Sequence, residues 1–217
     1  MDKEKYKFTE DWFGKMTPIW KNMFGAMPPV YNVLEIGCYE GRATTWICEN
    51  VFNDTSGATK YNYDVIDTFG GSLEETGMKH VKDGLKKENF IEKNFLHNIS
   101  FFPHVKFNVY KGYSQRVLPT FESKEKYDFI YIDASHTADD TFVDAYYACR
   151  LLKKGGFLIF DDYAWKDPKN VHPINSPKLG IDMFSLMYDS TFARFSMSPA
   201  SAIYEYQVGF VKKGSMY

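Results

Sequence analysis

Five short apolar segments alternate with stretches of helical periodicity along most of this chain. The segments are residues 31–37, 61–67, 105–112, 127–133 and 157–163. Segments of this length that are rich in Val, Ile, Tyr and Phe are typical of β-strands. Strands that alternate with helices run parallel, because each helix returns the chain to the edge where the previous strand began. The sequence therefore predicts an α/β fold with a doubly wound, Rossmann-like sheet and helices on both faces.

The two ends of the chain depart from this alternation. Residues 1–29 predict an amphipathic helix that begins at Thr9 and ends at Pro28-Pro29. Its apolar face consists of Trp12, Phe13, Met16, Ile19, Trp20 and Met23. Residues 193–198 and 201–213 predict an antiparallel hairpin, which follows a helix near Ile181 to Tyr188. We find no repeat and no interdomain linker, so we expect a single domain over residues 1–217.

Two internal helices carry more specific expectations. A polar helix is predicted from about Glu74 to Asn98. The helix after the fourth strand has Thr137 at a cap position and Asp140 three residues later, which is a capping-box pattern. We expect Gly155-Gly156 to end this helix, and we expect a buried stripe along it that consists of Phe142, Ala145, Tyr146, Cys149 and Leu152.

Composition excludes several classes of function. With 26 basic and 28 acidic residues the net charge is −2, so the chain lacks the basic field of a nucleic-acid-binding protein. The three cysteines have no metal-ligand spacing and do not suggest a disulfide framework. We find no long apolar run and no signal-peptide pattern, and we therefore expect a soluble, cytoplasmic protein without a membrane partner.

The polar residues that carry chemistry follow the predicted strands. In an open α/β sheet, ligands bind at the carboxyl ends of the strands, near the point where strand order reverses. The first strand carries Glu35 and leads into Gly37 and Gly41, and the second ends at Asp67. The later strand ends supply Ser114, Asp133, His136, Asp161 and Asp162. We therefore expect one edge of the sheet to carry the binding site.

The turn after the first strand, EIGCYEG, places Gly37 and Gly41 on either side of Tyr39 and Glu40. Glycines at these points allow a ligand to approach the backbone closely. The G-x-G-x-x-G pattern of dinucleotide-binding proteins is not met, and a carboxylate disfavours a pyrophosphate. A cofactor with an ammonium group and a ribose suits this edge better. Asp67 is then placed to accept hydrogen bonds from the ribose.

Four motifs together carry a resemblance to a known family: VLEIGCYEGRATTWI, VIDTFGG, YDFIYIDASH and LLKKGGFLIFDDY. In this order they resemble the class I S-adenosylmethionine-dependent methyltransferases, in particular the small-molecule O-methyltransferases that act on catechols or macrolide sugars. The resemblance spans about residues 30 to 165 and implies the strand order 3-2-1-4-5-7-6. It implies that the cofactor is bound by Glu35, Gly37, Gly41, Asp67, Ser114 and Asp133.

The same resemblance implies a divalent cation, Mg²⁺ or Mn²⁺, held by Asp133, Asp161 and Asp162. Elementary chemistry agrees, because neighbouring strands lie about 4.8 Å apart and carboxylate oxygens suit hard cations. Three carboxylates without a cation would also repel one another. The alternative is structural: Asp161 and Asp162 begin a turn, and Asp133 caps the following helix.

The expected function is transfer of a methyl group from S-adenosylmethionine to a hydroxyl of a small molecule, a sugar or glycoside rather than a catechol. We predict Asp133 and His136 as catalytic residues, with His136 as the base that accepts the hydroxyl proton. In the alternative, His136 only forms a hydrogen bond with Asp133 or the backbone.

Other interpretations stay open. A catechol or phenol acceptor is the first of them, and a methyltransferase-like binding module without activity is the second. An NAD-dependent oxidoreductase agrees least with the Tyr39-Glu40 turn. The chain could also be one domain of a larger glycan-modifying polypeptide, and its oligomeric state is left open.

Overall fold

The computed structural model describes residues 5–71, 89–122, 124–167, 169, 171–197 and 206–214. Within these ranges seven strands form one sheet. They are β1 (Asn32–Ile36), β2 (Tyr61–Asp67), β3 (Val105–Lys111), β4 (Tyr127–Ile132), β5 (Leu152–Phe160), β6 (Phe192–Ser196) and β7 (Val208–Lys212).

The strand order is β3-β2-β1-β4-β5-β7-β6. The first five strands pair in parallel, whereas β7 is antiparallel to both β5 and β6. This arrangement confirms the predicted fold class, the strand order and the C-terminal antiparallel hairpin. The order reverses at β1, which lies between β2 and β4, so the end of β1 is the expected place for a ligand.

Six α-helices accompany the sheet in the described part of the chain. They are α1 (Thr17–Ala26), α2 (Arg42–Asn50), α3 (Phe90–Ile99), α4 (Ser114–Val117), α5 (Ala138–Leu151) and α6 (Pro177–Met187). None of the helices in these ranges is long and apolar enough to cross a membrane.

Alternate residues of the central strands enter two different cores, as the two-residue period of a strand requires. Phe129 and Tyr131 of β4 pack with Trp20 and Trp46 on the face that α1 and α2 cover. Ile130 and Ile132 pack on the opposite face with α5 and α6, around residues such as Phe184. Both faces of β4 are therefore buried, and its polar chemistry is confined to the strand end.

The predicted N-terminal helix is shorter than expected. It begins at Thr17 after a 3₁₀ turn over Gly14–Met16, and it ends at Ala26. Residues 5–13 are not helical, so the predicted start at Thr9 is wrong. The backbone N–H and the hydroxyl of Thr9 both donate to Glu40 in the turn after β1. Thr9 is therefore held by a distant residue instead of beginning a helix.

The predictions for α5 are correct in position and wrong in detail. Thr137 is the N-cap residue, but its side chain forms no capping hydrogen bond, so the predicted capping box does not form. Tyr146 is 37% exposed rather than buried, and its ring lies against the Arg150 guanidinium. The helix ends at Leu151 and the chain enters β5 at once, so Gly155-Gly156 interrupts the start of a strand instead of ending a helix.

The remaining helix predictions are partly testable. The C-terminal part of the polar helix is confirmed by α3, whereas residues 74–88 lie outside the described residues. The helix predicted near Ile181 is confirmed and begins earlier, at Pro177.

Candidate active site

A cavity of about 970 Å³ opens at the carboxyl edge of the sheet. Its floor follows the ends of β1, β4 and β5, and one wall comes from residues before α1. Six of the residues predicted for the site line this cavity: Glu35, Gly37, Asp133, His136, Asp161 and Asp162. Gly41, Asp67 and Ser114 lie outside its lining. The structure therefore unites the predicted acids with the start of the glycine turn.

Gly37 leaves β1 with a φ of +83°, a conformation that favours glycine. A Cβ atom here would lie 1.9 Å from the carbonyl oxygen of Asp133. The ends of β1 and β4 can therefore meet only because position 37 has no side chain. Gly41 also has a positive φ, +79°, where the turn enters α2. Both glycines thus have structural reasons to be present.

Asp67 fixes the glycine turn from the end of β2. Its Oδ2 accepts hydrogen bonds from the backbone N–H groups of Cys38 and Tyr39, at 2.7 and 2.8 Å. Its Oδ1 accepts from the N–H of Phe69 at 2.6 Å. Tyr39 has a φ of +50°, which is rare for a bulky residue and is held by these bonds. The predicted contact of Asp67 with a ribose stays a prediction.

Glu35 lies beneath the turn and is 1% exposed. Its Oε2 accepts hydrogen bonds from the hydroxyls of Thr44 and Tyr63, both at 2.6 Å. Burial raises the pKa of Glu35 to about 7, although the two hydrogen bonds oppose the rise. This carboxyl group can therefore be neutral or charged near neutral pH, depending on what occupies the cavity above it.

The acids at the ends of β4 and β5 are joined by a network of side chains. The Tyr131 hydroxyl bonds Asp161 and lies 3.1 Å from Asp133 Oδ2. The Gln207 amide donates to Asp161 Oδ2 at 2.9 Å, and its own oxygen accepts from the Trp20 indole N–H at 2.7 Å. The network therefore reaches from α1 through the segment before β7 to the cavity floor.

Charge repulsion shapes this acid edge. The pKa of Asp133 is raised well above its usual range, first by burial and then by the neighbouring Asp161 and Asp162 carboxylates. The same causes, burial first and Asp162 second, raise the pKa of Asp161 to about 6. Asp133 is nevertheless exposed to solvent, because the cavity opens above it. The three acids thus favour a bound proton or another cation.

The chemistry of the donor set decides how well a divalent cation would fit. Asp161 already receives Tyr131 and Gln207 on Oδ2, and the Asp162 N–H on Oδ1 at 2.8 Å. Asp133 Oδ1 and Asp162 Oδ1 accept no hydrogen bond from the described part of the chain. Within that part, no three His, Cys, Asp or Glu side chains are arranged to hold a metal ion. Asp133 and Asp162 therefore each keep one carboxylate oxygen available to a cation, and the predicted site of Asp133, Asp161 and Asp162 stays a prediction.

His136 stands at the entrance to α5 and faces the acids. Its Nε2 lies 3.0 Å from Asp162 Oδ2, and its ring packs on the Trp165 ring with centroids 4.3 Å apart. Asp162 adopts a φ of +54°, an uncommon conformation for this residue type, at the point where it meets His136. His136 thus bonds with Asp162, whereas the alternative to a catalytic role expected a hydrogen bond with Asp133 or the backbone.

Ser114 lies at the start of α4, away from the cavity. It neighbours Asp144 of α5, and both residues are buried. Its expected contact with the cofactor stays a prediction.

The model of a family described as a methyltransferase domain matches residues 34–163. This range covers more than half of the 217 residues and contains the cavity floor. The chain belongs to this methyltransferase domain family. A comparison with curated proteins gives no match.

Solved structures of other methyltransferases share the fold of this methyltransferase domain. The O-methyltransferase TomG from Streptomyces achromogenes is 14% identical with a TM-score of 0.60, over 91% of this chain and 80% of TomG. The N-methyltransferase NodS from Bradyrhizobium japonicum is 14% identical with a TM-score of 0.54, over 92% and 95%. The TDP-rhamnose 3'-O-methyltransferase CalS11 is 15% identical with a TM-score of 0.50, over 93% and 78%.

Several residues of this candidate site carry no functional signal in the sequence. Tyr131 and Gln207 fall within predicted strand segments and carry no predicted role, although they hold the acids of the floor. Trp20 was placed on an apolar helix face, and its buried N–H was the signal that it needs a partner. The cavity wall formed by residues before α1 had no motif that could have predicted it.

Proposed function

We propose that this methyltransferase domain transfers the methyl group of S-adenosylmethionine to a hydroxyl group of a small molecule. The observation that carries the proposal is one cavity that joins Gly37 of the glycine turn to His136 and the three acids. The TomG structure, which shares the fold, is a complex with S-adenosylmethionine. A cavity of this volume is large enough to bind two small molecules side by side.

The cofactor would lie along the ends of β1 and β2. Gly37 lets it approach the backbone, and Glu35 supplies a carboxyl group below the turn. Asp67 contributes by fixing the N–H groups of Cys38 and Tyr39, in addition to any contact with the ribose. When bound, S-adenosylmethionine supplies a methyl group on a positive sulfur that an oxygen nucleophile attacks in line.

His136 acts as the base in this proposal. Its Nε2 lies 3.0 Å from the Asp162 carboxylate. This carboxylate orients the ring and stabilises the positive charge that the ring gains when it takes up a proton. The Trp165 ring limits rotation of the imidazole. His136 lines the cavity between Asp162 and Trp165. Nε2 is bonded to Asp162 and Nδ1 is buried, so a bound acceptor must displace one of these contacts before its hydroxyl can give a proton to the ring.

Divalent-metal assistance is a further part of the proposal. Asp133 and Asp162 would hold Mg²⁺ or Mn²⁺, and Asp161 would orient Asp133 through Tyr131. Mg²⁺ keeps several waters and uses only one or two protein carboxylates, which supports a site of this kind. Bound there, the cation lowers the pKa of an acceptor hydroxyl and fixes its position.

A sugar or glycoside is the proposed acceptor, with a catechol or phenol as the alternative. Aromatic rings line the cavity on two sides, among them Trp12, Tyr163 and Trp165, and such rings pack well on the apolar faces of sugars. The name of CalS11, a TDP-rhamnose 3'-O-methyltransferase with the same fold, agrees with a sugar acceptor.

Calorimetry with S-adenosylhomocysteine tests the cofactor, with NAD as the matched competitor. We expect S-adenosylhomocysteine to bind and NAD not to bind; the reverse result would favour an oxidoreductase. Mass spectrometry of methylated products after incubation with TDP-rhamnose, methyl glycosides and catechol then tests the acceptor. Binding of S-adenosylhomocysteine without any methylated product, even from a broad panel of hydroxyl compounds, would favour a binding module.

A further inference from the structure

Residues 5–16, here named the N-terminal strap, cross one side of the cavity before α1 begins. Six strap residues line the cavity: Phe8, Glu10, Asp11, Trp12, Phe13 and Lys15. Trp12 is 43% exposed, which is unusual for so large an apolar side chain, and it faces the cavity. The strap thus forms one wall of the cavity, here named the acceptor wall.

Glu40 of the glycine turn holds the middle of the strap. Its side chain is buried, with 1% exposed. Oε2 accepts hydrogen bonds from the backbone N–H and the hydroxyl of Thr9, at 2.6 and 3.0 Å. Oε1 accepts from the Asn94 amide of α3 at 2.7 Å. A buried carboxylate requires such donors, so breaking the clamp leaves an uncompensated charge.

The neighbouring contacts of the strap also lead to the glycine turn and to α3. The Asn98 amide pairs with both backbone groups of Lys7, at 2.8 and 2.9 Å, and donates to the Glu40 carbonyl at 2.8 Å. Arg42 Nε donates to the Glu10 carbonyl at 2.8 Å. The Trp12 ring packs on the ring of Tyr39, whose N–H is bound by Asp67.

We propose that Glu40 is a positioning residue that ties the acceptor wall to the cofactor turn. The inference rests on the proposed function for the identity of the two ligands. The turn between Gly37 and Gly41 carries both the expected cofactor contacts and the anchor of Thr9. A ligand that orders this turn therefore also orders the strap, and the acceptor wall is complete only when the turn is held in place.

Hydrogen exchange measured by mass spectrometry tests this coupling on the full chain. In the wild type, S-adenosylhomocysteine slows exchange in the peptide that covers residues 5–16. Glu40→Gln removes the charge and turns one of the two acceptor oxygens into an NH₂ donor, so the side chain can no longer accept from Thr9 and Asn94 together as the carboxylate does. This variant exchanges about tenfold faster in the strap peptide, as expected for the loss of a net charged hydrogen bond, and the peptide responds less to S-adenosylhomocysteine.

Rescue separates positioning from general destabilisation. In Glu40→Gln/Asn94→Asp, the new carboxylate accepts from the Gln amide, the net charge is restored, and strap exchange returns towards the wild-type rate. Thr9→Val is a milder second variant, which removes the hydroxyl bonds to Glu40 and Tyr39 but keeps the backbone bond, and it accelerates strap exchange to a smaller extent. Tyr6→Phe is the matched control, because it removes a strap bond to Glu49 of α2, at 2.7 Å, that is remote from the turn. It leaves the response to S-adenosylhomocysteine unchanged.

Strap exchange that is the same in Glu40→Gln and wild type would overturn the clamp. Loss of the response in Tyr6→Phe as large as in Glu40→Gln would overturn the specific role of Glu40. A wild type that binds S-adenosylhomocysteine in calorimetry without any change in the strap would overturn the coupling. Absence of binding would instead refute the proposed function, and the comparison without ligand would still test the clamp.

Discussion

The glycine turn and the acid edge each involve an aspartate at a strand end, Asp67 of β2 and Asp161 after β5, yet the two aspartates are held in different ways. Asp67 receives three backbone N–H groups from the turn and from Phe69. Asp161 receives the side chains of Tyr131 and Gln207 in addition to one backbone N–H. Backbone donors fix the shape of a loop. Side-chain donors can rearrange, so the carboxylate that they hold can bind a proton or an ion. The first arrangement is suited to holding a ligand, and the second to chemistry.

The largest effect that this comparison predicts lies at the acid edge. His136→Ala lowers turnover by about 10²-fold or more, because the acceptor hydroxyl then has no base within reach. Affinity for S-adenosylhomocysteine, measured by calorimetry, stays at the wild-type value, since the glycine turn is untouched. Near-normal turnover, or a loss of metal affinity alone, would remove the base role from His136.

Chelation is the next test of the acid edge. EDTA lowers turnover by about tenfold or more, and added Mg²⁺ or Mn²⁺ restores it, because the cation activates the acceptor hydroxyl. Affinity for S-adenosylhomocysteine is the control and does not depend on EDTA. Full turnover in the chelator would show that the reaction needs no divalent cation, and that bound protons and the Tyr131 hydrogen bonds are enough to stabilise the acids.

Asp67→Ala tests the other side of the comparison. The N–H groups of Cys38 and Tyr39 lose their partner, so the turn loosens and S-adenosylhomocysteine binds about 1–3 kcal/mol more weakly. Calorimetry measures the change, and Asp67→Asn, which keeps one acceptor oxygen, shows a smaller loss. Equal affinity in all three proteins would mean that the turn holds its shape without Asp67.

Asp144 of α5 extends the comparison to a carboxylate that receives almost no help. It is fully buried, and no group in the described ranges forms a well-aligned hydrogen bond with either oxygen. Burial raises the pKa of Asp144 to about 7, a rise that nearby Ser114 limits. A raised pKa means that the folded protein binds this proton more tightly than the unfolded chain. Stability is therefore lost as pH rises from about 4 to about 7.

Asp144→Asn removes that loss. We expect the variant to match the wild type at pH 5 and to exceed it at pH 8 by about 2–3 kcal/mol in the free energy of unfolding. Urea titrations at the two pH values measure the difference. The same gap at both values would show that Asp144 does not titrate in this range.

The sheet and its polar edge could be predicted from the sequence because they depend on local patterns. Strand segments such as Tyr61–Asp67 have apolar residues at strand spacing, and Gly37 and Gly41 mark a turn by composition alone. Parallel topology then brings the strand ends together. These patterns were sufficient for the fold and for the residues of the cavity floor.

Contacts between distant parts of the chain could not be predicted in this way. Trp20 and Gln207 are 187 residues apart, and neither carries a motif. The local pattern at Thr9 predicts the N-cap of a helix, yet its backbone N–H donates to the Glu40 carboxylate in the folded protein. The side-chain partners of the acids likewise depend on which rotamers the packed core permits.

The family match covers the floor of the cavity but not all of its walls, and this has a consequence for the choice of acceptor. The matched residues, 34–163, contain the floor, whereas the strap and Tyr206 lie outside that range and form part of the walls. Changes in the wall segments can therefore alter which acceptor fits without changing the residues of the floor. Exchange of the first sixteen residues between relatives is a direct route to new acceptor preferences.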